Sequence, residues 1–456
     1  MRLLISAHEV GLLEKRPAKA SCIFCSFNIC HLKYMLGKSM KRIHIALTGA
    51  TGLLGRNLLF EFIKKYKDNL DHLTVLILGR REGSMSLKDR IFDIVLDEAI
   101  PYVGLCDVKV IRQFLENNVE CIETDLTSEN LGISSGHILQ LRRRPIDLFF
   151  HVASLTDFRN SPSVKKKLWE ANVKGTEQIL ELLATLDVRE YCYVSSAYCC
   201  GKTSGDIMPD YINLNAEFRN DYEQSKLEAE IKSREFAKKN GIRFRSFRPS
   251  TISGRLMEAP LGAINKFDVF YGFAAFWLQM KLALILNPED RYSAPILFDV
   301  AMCYNISSGL NIVPVDYAAK VMYEVCTQSH PDEDFHLANN AETPHGTYVS
   351  AIFEALNISG IQAVDEIPVD LNRMEALYYK TVGKIFTPYI VSKPMHFNTQ
   401  NLKEIELKCG LQCPEVDKNN FMKLLDYAKE KDFGIRVKKL NQPARAELTE
   451  VGALQA

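Results

Sequence analysis

From Met40 onward the chain alternates short apolar runs with longer stretches in which apolar residues recur at helical spacing and charges fill the positions between. A parallel sheet wrapped by helices follows from that rhythm, because a strand covered on both faces reads as an apolar run and its covering helix as a 3.6-residue period. The pattern predicts strands over 43–47, 73–78, 119–124, 147–152, 190–195 and 243–247, with helices over 53–66, 87–98, 164–186 and 221–239 between them. Six such strands predict an α/β fold with a doubly wound parallel sheet.

After Arg248-Pro249-Ser250 the alternation becomes irregular. A strand at 311–315 and a helix at 317–327 are expected to return to the main sheet, followed by helices at 345–356 and 419–430 in a tail that ends polar. The expected division is a dinucleotide-binding domain over 40–250 and a smaller substrate-binding lobe over 251–456, with about 311–328 rejoining the first domain. The apolar segment 269–286 is interrupted by Gln279 and Lys281 and lacks charged anchors at its ends, so it reads as a buried helix or an acyl-binding wall rather than a membrane span. Peripheral membrane association stays open, as does a homodimer. Residues 1–39 show no strand alternation and are expected to form an extension of little structure, with Met40 as the natural start.

Composition narrows the class. Of 456 residues, 47% are hydrophobic and 25% charged, as in a folded globular protein. Lysine plus arginine and aspartate plus glutamate balance at 56 each, so no overall field favours nucleic acid. The 12 cysteines are scattered, which fits a reducing cytoplasm rather than a secreted disulfide scaffold. Cys22, Cys25, Cys30 and His31 lack the matched spacing of a zinc knuckle, and Cys409 and Cys413 read as ordinary thiols, so no metal is expected.

The sharpest local signal is Thr48-Gly49-Ala50-Thr51-Gly52-Leu53-Leu54-Gly55, set between an apolar strand and an amphipathic helix. Glycines at 49, 52 and 55 permit a tight turn and let backbone N–H groups approach a pyrophosphate, which the helix N-terminus then attracts. This is a Rossmann-type dinucleotide signature. Where an acidic residue would meet the ribose of NAD(H), the second strand ends Leu78-Gly79-Arg80-Arg81, whose guanidinium groups suit a 2′-phosphate; NADP(H) is favoured over NAD(H). Asp125 and Leu126 after the third strand, Val152, Ala153 and Ser154 after the fourth, and Pro249 and Ser250 after the sixth are expected along the cofactor path. Asp125 reads equally well as a helix cap.

Tyr222 and Lys226 stand four residues apart on one face of a helix, where an ammonium could stabilise a phenolate and hold the nicotinamide ribose. Ser196, with Ser195 next, ends the fifth strand, and ligands of doubly wound sheets bind beyond the strands' carboxyl ends. Together these residues argue hydride transfer to a carbonyl.

The ordered motifs T-G-A-T-G-L-L-G from Thr48, H-V-A-S from His151, N-V-K-G-T from Asn172, V-S-S-A-Y from Val194, Y-E-Q-S-K from Tyr222, R-P-S from Arg248 and V-P-V-D-Y from Val313 resemble the extended short-chain dehydrogenase/reductases over about residues 41–340. L-G-R-R, H-V-A-S-L-T-D-F and R-P-S-T-I-S-G are similar to the thioester reductase and fatty acyl reductase branch. The resemblance implies an NADPH-dependent reductase of acyl thioesters or other small carbonyl substrates, with Ser196 and Tyr222 on the carbonyl oxygen, Lys226 tuning Tyr222 and Asn172 organising the site. Many members of that branch carry threonine where this chain has Ser196. That departure leaves room for a nucleotide-sugar epimerase or dehydratase holding NAD(P)+ tightly, and a non-catalytic NADP-sensing protein is a third reading.

Overall fold

The computed structural model describes residues 41–104, 107–328 and 330–435. The extension 1–39, its Cys22, Cys25, Cys30 and His31, and the start expected at Met40 lie outside them.

Among the described residues the central sheet has seven strands: β1 (Ile43–Thr48), β2 (Leu73–Gly79), β3 (Val119–Glu123), β4 (Ile146–His151), β5 (Val188–Val194), β6 (Arg243–Pro249) and β7 (Asp334–Leu337). Their spatial order is β7-β6-β5-β4-β1-β2-β3, and all neighbouring pairs are parallel. The last four residues of β1 are buried, as a central strand covered on both faces must be. Thr48 pairs with Leu78 on one side and His151 on the other, so three strands end level where the chain order reverses. A crevice opens at such a switch point.

Three helices set the site. α1 (Leu53–Lys65) follows β1 directly. α2 runs through Pro162–Leu168, a wider π turn at Trp169–Lys174, and Gly175–Leu183. α3 (Asp221–Asn240) starts at Asn220, whose side chain accepts the N–H of Glu223 at 3.1 Å, and stops at Gly241, where φ is +65°.

The apolar segment 269–286 folds as α4 (Phe270–Leu284), with Phe273 and Trp277 inside an apolar cluster separate from the one that packs on the sheet. No helix among the described residues is long and apolar enough to cross a membrane. α5 (Val315–Thr327) packs back on α1 through Tyr323 against Phe62, ring centroids 4.9 Å apart, and through Lys320 to Glu61 at 3.0 Å. α6 (His345–Ala355) and α7 (Val382–Ile390) enclose α4, bringing Phe353 to 5.3 Å from Trp277 and Phe386 to 5.7 Å from Phe273.

The return to the sheet differs from expectation. Ile312–Pro314 pairs with Thr251–Ser253 in a separate two-stranded sheet, and the strand that joins the main sheet is β7. Its sequence, Asp-Phe-His-Leu, is four residues long and carries a buried histidine, too short and too polar to announce itself by alternation.

Candidate active site

The turn Gly49–Gly52 is built by close approach. Gly49 has φ of +74°, and a Cβ there would lie 2.7 Å from the backbone nitrogen of Ala153; at Gly55 it would lie 2.2 Å from the carbonyl oxygen of Gly49. Both positions exclude any side chain. The first turn of α1 has no side-chain cap and no acidic residue, so its N–H groups face the crevice with nothing of the chain's own to neutralise them. A pyrophosphate fits that cradle.

A buried network locks β1 to β4. Thr176 Oγ1 donates to the carbonyl of Asn172 at 2.6 Å, so it must accept from His151 Nε2 at 3.1 Å. His151 Nδ1 then accepts from Thr48 Oγ1 at 2.8 Å, and Thr48 Oγ1 accepts the N–H groups of Val152 and Ala153, both at 3.1 Å. Burial pushes His151 down to about 3, with Lys226 adding to the effect, so the ring stays neutral and the chain of donors stays fixed.

Beyond the strand ends lies a cavity of about 950 Å³. Its wall includes Thr48, Gly49, Thr51, Gly52, Leu53, Leu54 and Gly55, then Arg80, Arg81, Asp125 and Leu126, then Val152, Ala153 and Ser154, and finally Pro249 and Ser250. Ser196, Tyr222 and Lys226 line the same cavity. Asn172 does not. It stands behind the wall in the π turn of α2, 2% exposed, where its Oδ1 accepts from Leu155 N at 2.7 Å and its Nδ2 donates to Leu155 O and Ser225 Oγ, both at 3.0 Å. Asp125 faces the cavity and closes a turn by accepting from Thr127 N at 2.9 Å, but it is not the expected helix cap, since the next helix starts at Glu129 with Ser128 before it.

Ser196 Oγ accepts the N–H of Tyr198 at 3.2 Å. Tyr222 sits in the first turn of α3, half-buried, its ring edge-on to Phe158 at 5.2 Å. Burial raises its phenol well above the ordinary range, opposed by a hydrogen bond with Thr156. Lys226 Nζ donates to the carbonyl of Val194 at 2.7 Å and lies 4.5 Å from the centre of the Tyr193 ring. Burial brings the Lys226 ammonium down to about 7, against the pull of Glu230 one turn further along α3. The field of Lys226 is not what sets the Tyr222 phenol here; burial is.

Arg90 carries no local sequence signal; it reaches in from the helix Leu87–Ile94 and donates to Arg80 O at 2.8 Å. Thr156 and Phe158 in H-V-A-S-L-T-D-F, Tyr198 in V-S-S-A-Y, Thr251 in R-P-S-T-I-S-G and Val269 at the head of the apolar segment 269–286 also line the cavity, each from a stretch whose pattern is legible but whose meeting with the others is not. Glu230 was readable, four residues beyond Lys226 on the same face. It is fully buried and takes Arg248 Nε at 3.0 Å and Nη2 at 2.7 Å. Burial would raise its carboxyl, yet the Arg248 guanidinium holds it at about 2. Glu190, Cys192 and Cys326 also converge, but Arg245 already binds Glu190, so that group offers a cation little net attraction.

The sequence profile of the male sterility protein family matches residues 47–322. Over 401 residues the chain is 26% identical to a linear gramicidin synthase of Brevibacillus parabrevis, covering 84% of this chain and 7% of that protein. Over 180 residues it is 26% identical to probable fatty acyl-CoA reductase 5 of Arabidopsis thaliana, covering 39% of this chain and 35% of that protein. The chain thus spans about a third or less of either relative's length. Among solved structures, the terminal R domain of the myxalamid PKS-NRPS pathway superposes with a TM-score of 0.62 at 19% identity, covering 87% of this chain and 92% of that one. A dTDP-glucose 4,6-dehydratase of Bacillus anthracis in complex with NAD shares the fold at 0.53 and 13% identity, covering 86% and 98%. Profile, motifs and fold agree: this chain belongs to the male sterility protein family, in the thioester-reductase-like branch of the extended short-chain dehydrogenase/reductases.

Proposed function

We propose that the chain is an NADP(H)-dependent oxidoreductase that reduces a carbonyl or acyl thioester, with Tyr222 as proton donor. One observation carries the reading: Ser196, Tyr222 and Lys226 line the same cavity as the glycine turn and the uncapped start of α1. Bound there, the dinucleotide supplies the hydride. Gly49, Gly52 and Gly55 hold its pyrophosphate, and Lys226, fixed against the end of β5, holds the ribose. Ser196 and Tyr222 share the substrate oxygen, and Tyr222 passes its proton to that oxygen as charge develops. The phenol holds its proton at neutral pH and so has one to give; because burial holds that proton more tightly, the drive for its transfer has to come from the charge developing on the substrate oxygen. Asn172 is a positioning residue, tying the segment after β4 to α3.

For the 2′-phosphate we assign Arg80. Arg81 is paired with Glu123 at 3.1 Å and Arg90 with Glu82 at 2.5 Å, whereas the Arg80 guanidinium has no hydrogen-bond or ion-pair partner among the described residues. An acyl thioester substrate is favoured by the apolar pocket that adjoins the cofactor cavity, which offers little to a sugar.

The test is to incubate the purified protein with NADPH and a panel of acyl-CoA thioesters, aldehydes and nucleotide sugars, following absorbance and product mass. Net NADPH consumption with a thioester or aldehyde is expected. Sugar conversion without net consumption would instead assign an epimerase or dehydratase, and cofactor binding without conversion of any substrate would assign a sensor.

A further inference from the structure

Next to the cofactor cavity is a second, smaller pocket of about 60 Å³. Phe158, Tyr198, Thr251 and Val269 line both spaces and form the neck between them. Phe158 stands at the junction, its ring 5.2 Å from that of Tyr222 and 6.1 Å from that of Tyr389 on the pocket side.

The pocket presents carbon. Three tyrosines line it, and every hydroxyl is engaged elsewhere: Tyr198 with Thr251 at 3.1 Å, Tyr348 with His345 at 2.8 Å, and Tyr389 with Asn220 at 2.6 Å and Glu223 at 2.8 Å. Only ring faces and edges remain for an occupant, so sugar hydroxyls or water would find no partners. Size decides the shape of the guest. An apolar cavity of about 150 Å³ admits benzene, and one water-sized group needs roughly 10–15 Å³ of such space; this pocket, at about 60 Å³, is too small for an aromatic ring and takes a file of about four to six methylene-sized groups.

The neck is also where the backbone is held in an unusual state. Val269, the residue before α4, has φ of +49° and ψ of −127°, a conformation that a β-branched side chain rarely adopts. Such conformations persist where the surrounding fold over-determines them, often at ligand clamps. Here the result is an isopropyl group fixed in the passage.

We infer that this pocket takes the hydrocarbon end of an unbranched acyl chain whose thioester lies at Ser196 and Tyr222, and that Phe158 sets how deep the chain reaches. The inference rests on the reductase reading above and adds to it a chain-length filter. Phe158 is half-buried in the segment after β4, outside any helix or strand, so truncating it removes no backbone ladder. Ile385 lines the pocket from α7 and is half-buried, so a larger side chain there fills the space from a tolerant position.

The experiment compares kcat/KM for butanoyl-CoA and decanoyl-CoA in the wild type, Phe158→Ala and Ile385→Trp, with 1-octanol binding measured by calorimetry on the same proteins. Each buried methylene is worth about four-fold. The decanoyl-to-butanoyl ratio is expected to rise at least about ten-fold in Phe158→Ala and to fall at least about ten-fold in Ile385→Trp, with octanol binding lost in the latter. Ratios within two-fold of wild type in both variants, or equal octanol binding in wild type and Ile385→Trp, would overturn the pocket's assignment. A wild type that turns over no thioester yet binds octanol in a manner Ile385→Trp abolishes would leave the pocket standing and sink the reductase reading.

Discussion

On the proposed reading Tyr222, Lys226 and Arg80 have separate roles, and each fails differently when replaced. Replacing Tyr222 with Phe removes only the hydroxyl, so turnover should fall by about 10²–10⁴-fold, the usual worth of a positioned proton donor, while the NADPH dissociation constant stays within about two-fold. Fluorescence titration beside steady-state assays separates the two effects. Lys226 gives a pH signature. Burial brings it down to about 7, so the ammonium is charged below that value and neutral above it. Tyr222 keeps its proton through this range because burial raises it, and His151, at about 3, is neutral throughout. The profile of kcat/KM for NADPH should therefore show one descending limb as pH rises through about 7, and the limb should vanish in Lys226→Met. Arg80→Gln should weaken NADPH about ten-fold or more and leave NADH nearly unchanged, as expected for one lost charge-assisted contact to a phosphate. Equal losses for both cofactors would remove Arg80 from the 2′-phosphate.

At the scale of elements the site depends on two close fits. Adding a methyl at Gly55 places it 2.2 Å from the Gly49 carbonyl oxygen, which forces α1 away from the turn. Gly55→Ala should lose NADPH binding by more than about ten-fold and cost about 1–3 kcal/mol of stability, read from denaturant midpoints. The π turn of α2 is the second fit, since it aims Asn172 at Leu155 and Ser225 together. The sequence shows α2 as a single helical stretch, because one extra residue in a turn shifts the apolar period too little to see. It shows the glycine turn and the Tyr222–Lys226 pair plainly, because each is contiguous or lies on one helix face. Arg90 stays hidden because the fold alone brings it to the cavity; Phe158 and Val269 lie in stretches the sequence marks, but only the fold shows that they meet. β7 stays hidden for the opposite reason: it is local, but too short to carry a pattern.

At the scale of the whole molecule, the sheet order that places β4 beside β1 is what joins these pieces. It sets the end of β4 against the glycine turn and leaves the ends of β5 and β6, with the start of α3, around the same opening. The helices α4, α6 and α7 add the apolar pocket. A crystal structure of the NADPH complex tests this arrangement most directly. The account predicts a pyrophosphate against the start of α1, with the Tyr222 hydroxyl and Ser196 Oγ on the reactive face of the nicotinamide. There should be room for one carbonyl group, whose carbon would stand about 3–3.5 Å from the hydride-bearing carbon. A nicotinamide seated away from Tyr222, beyond reach of any rotamer of that side chain, would contradict it.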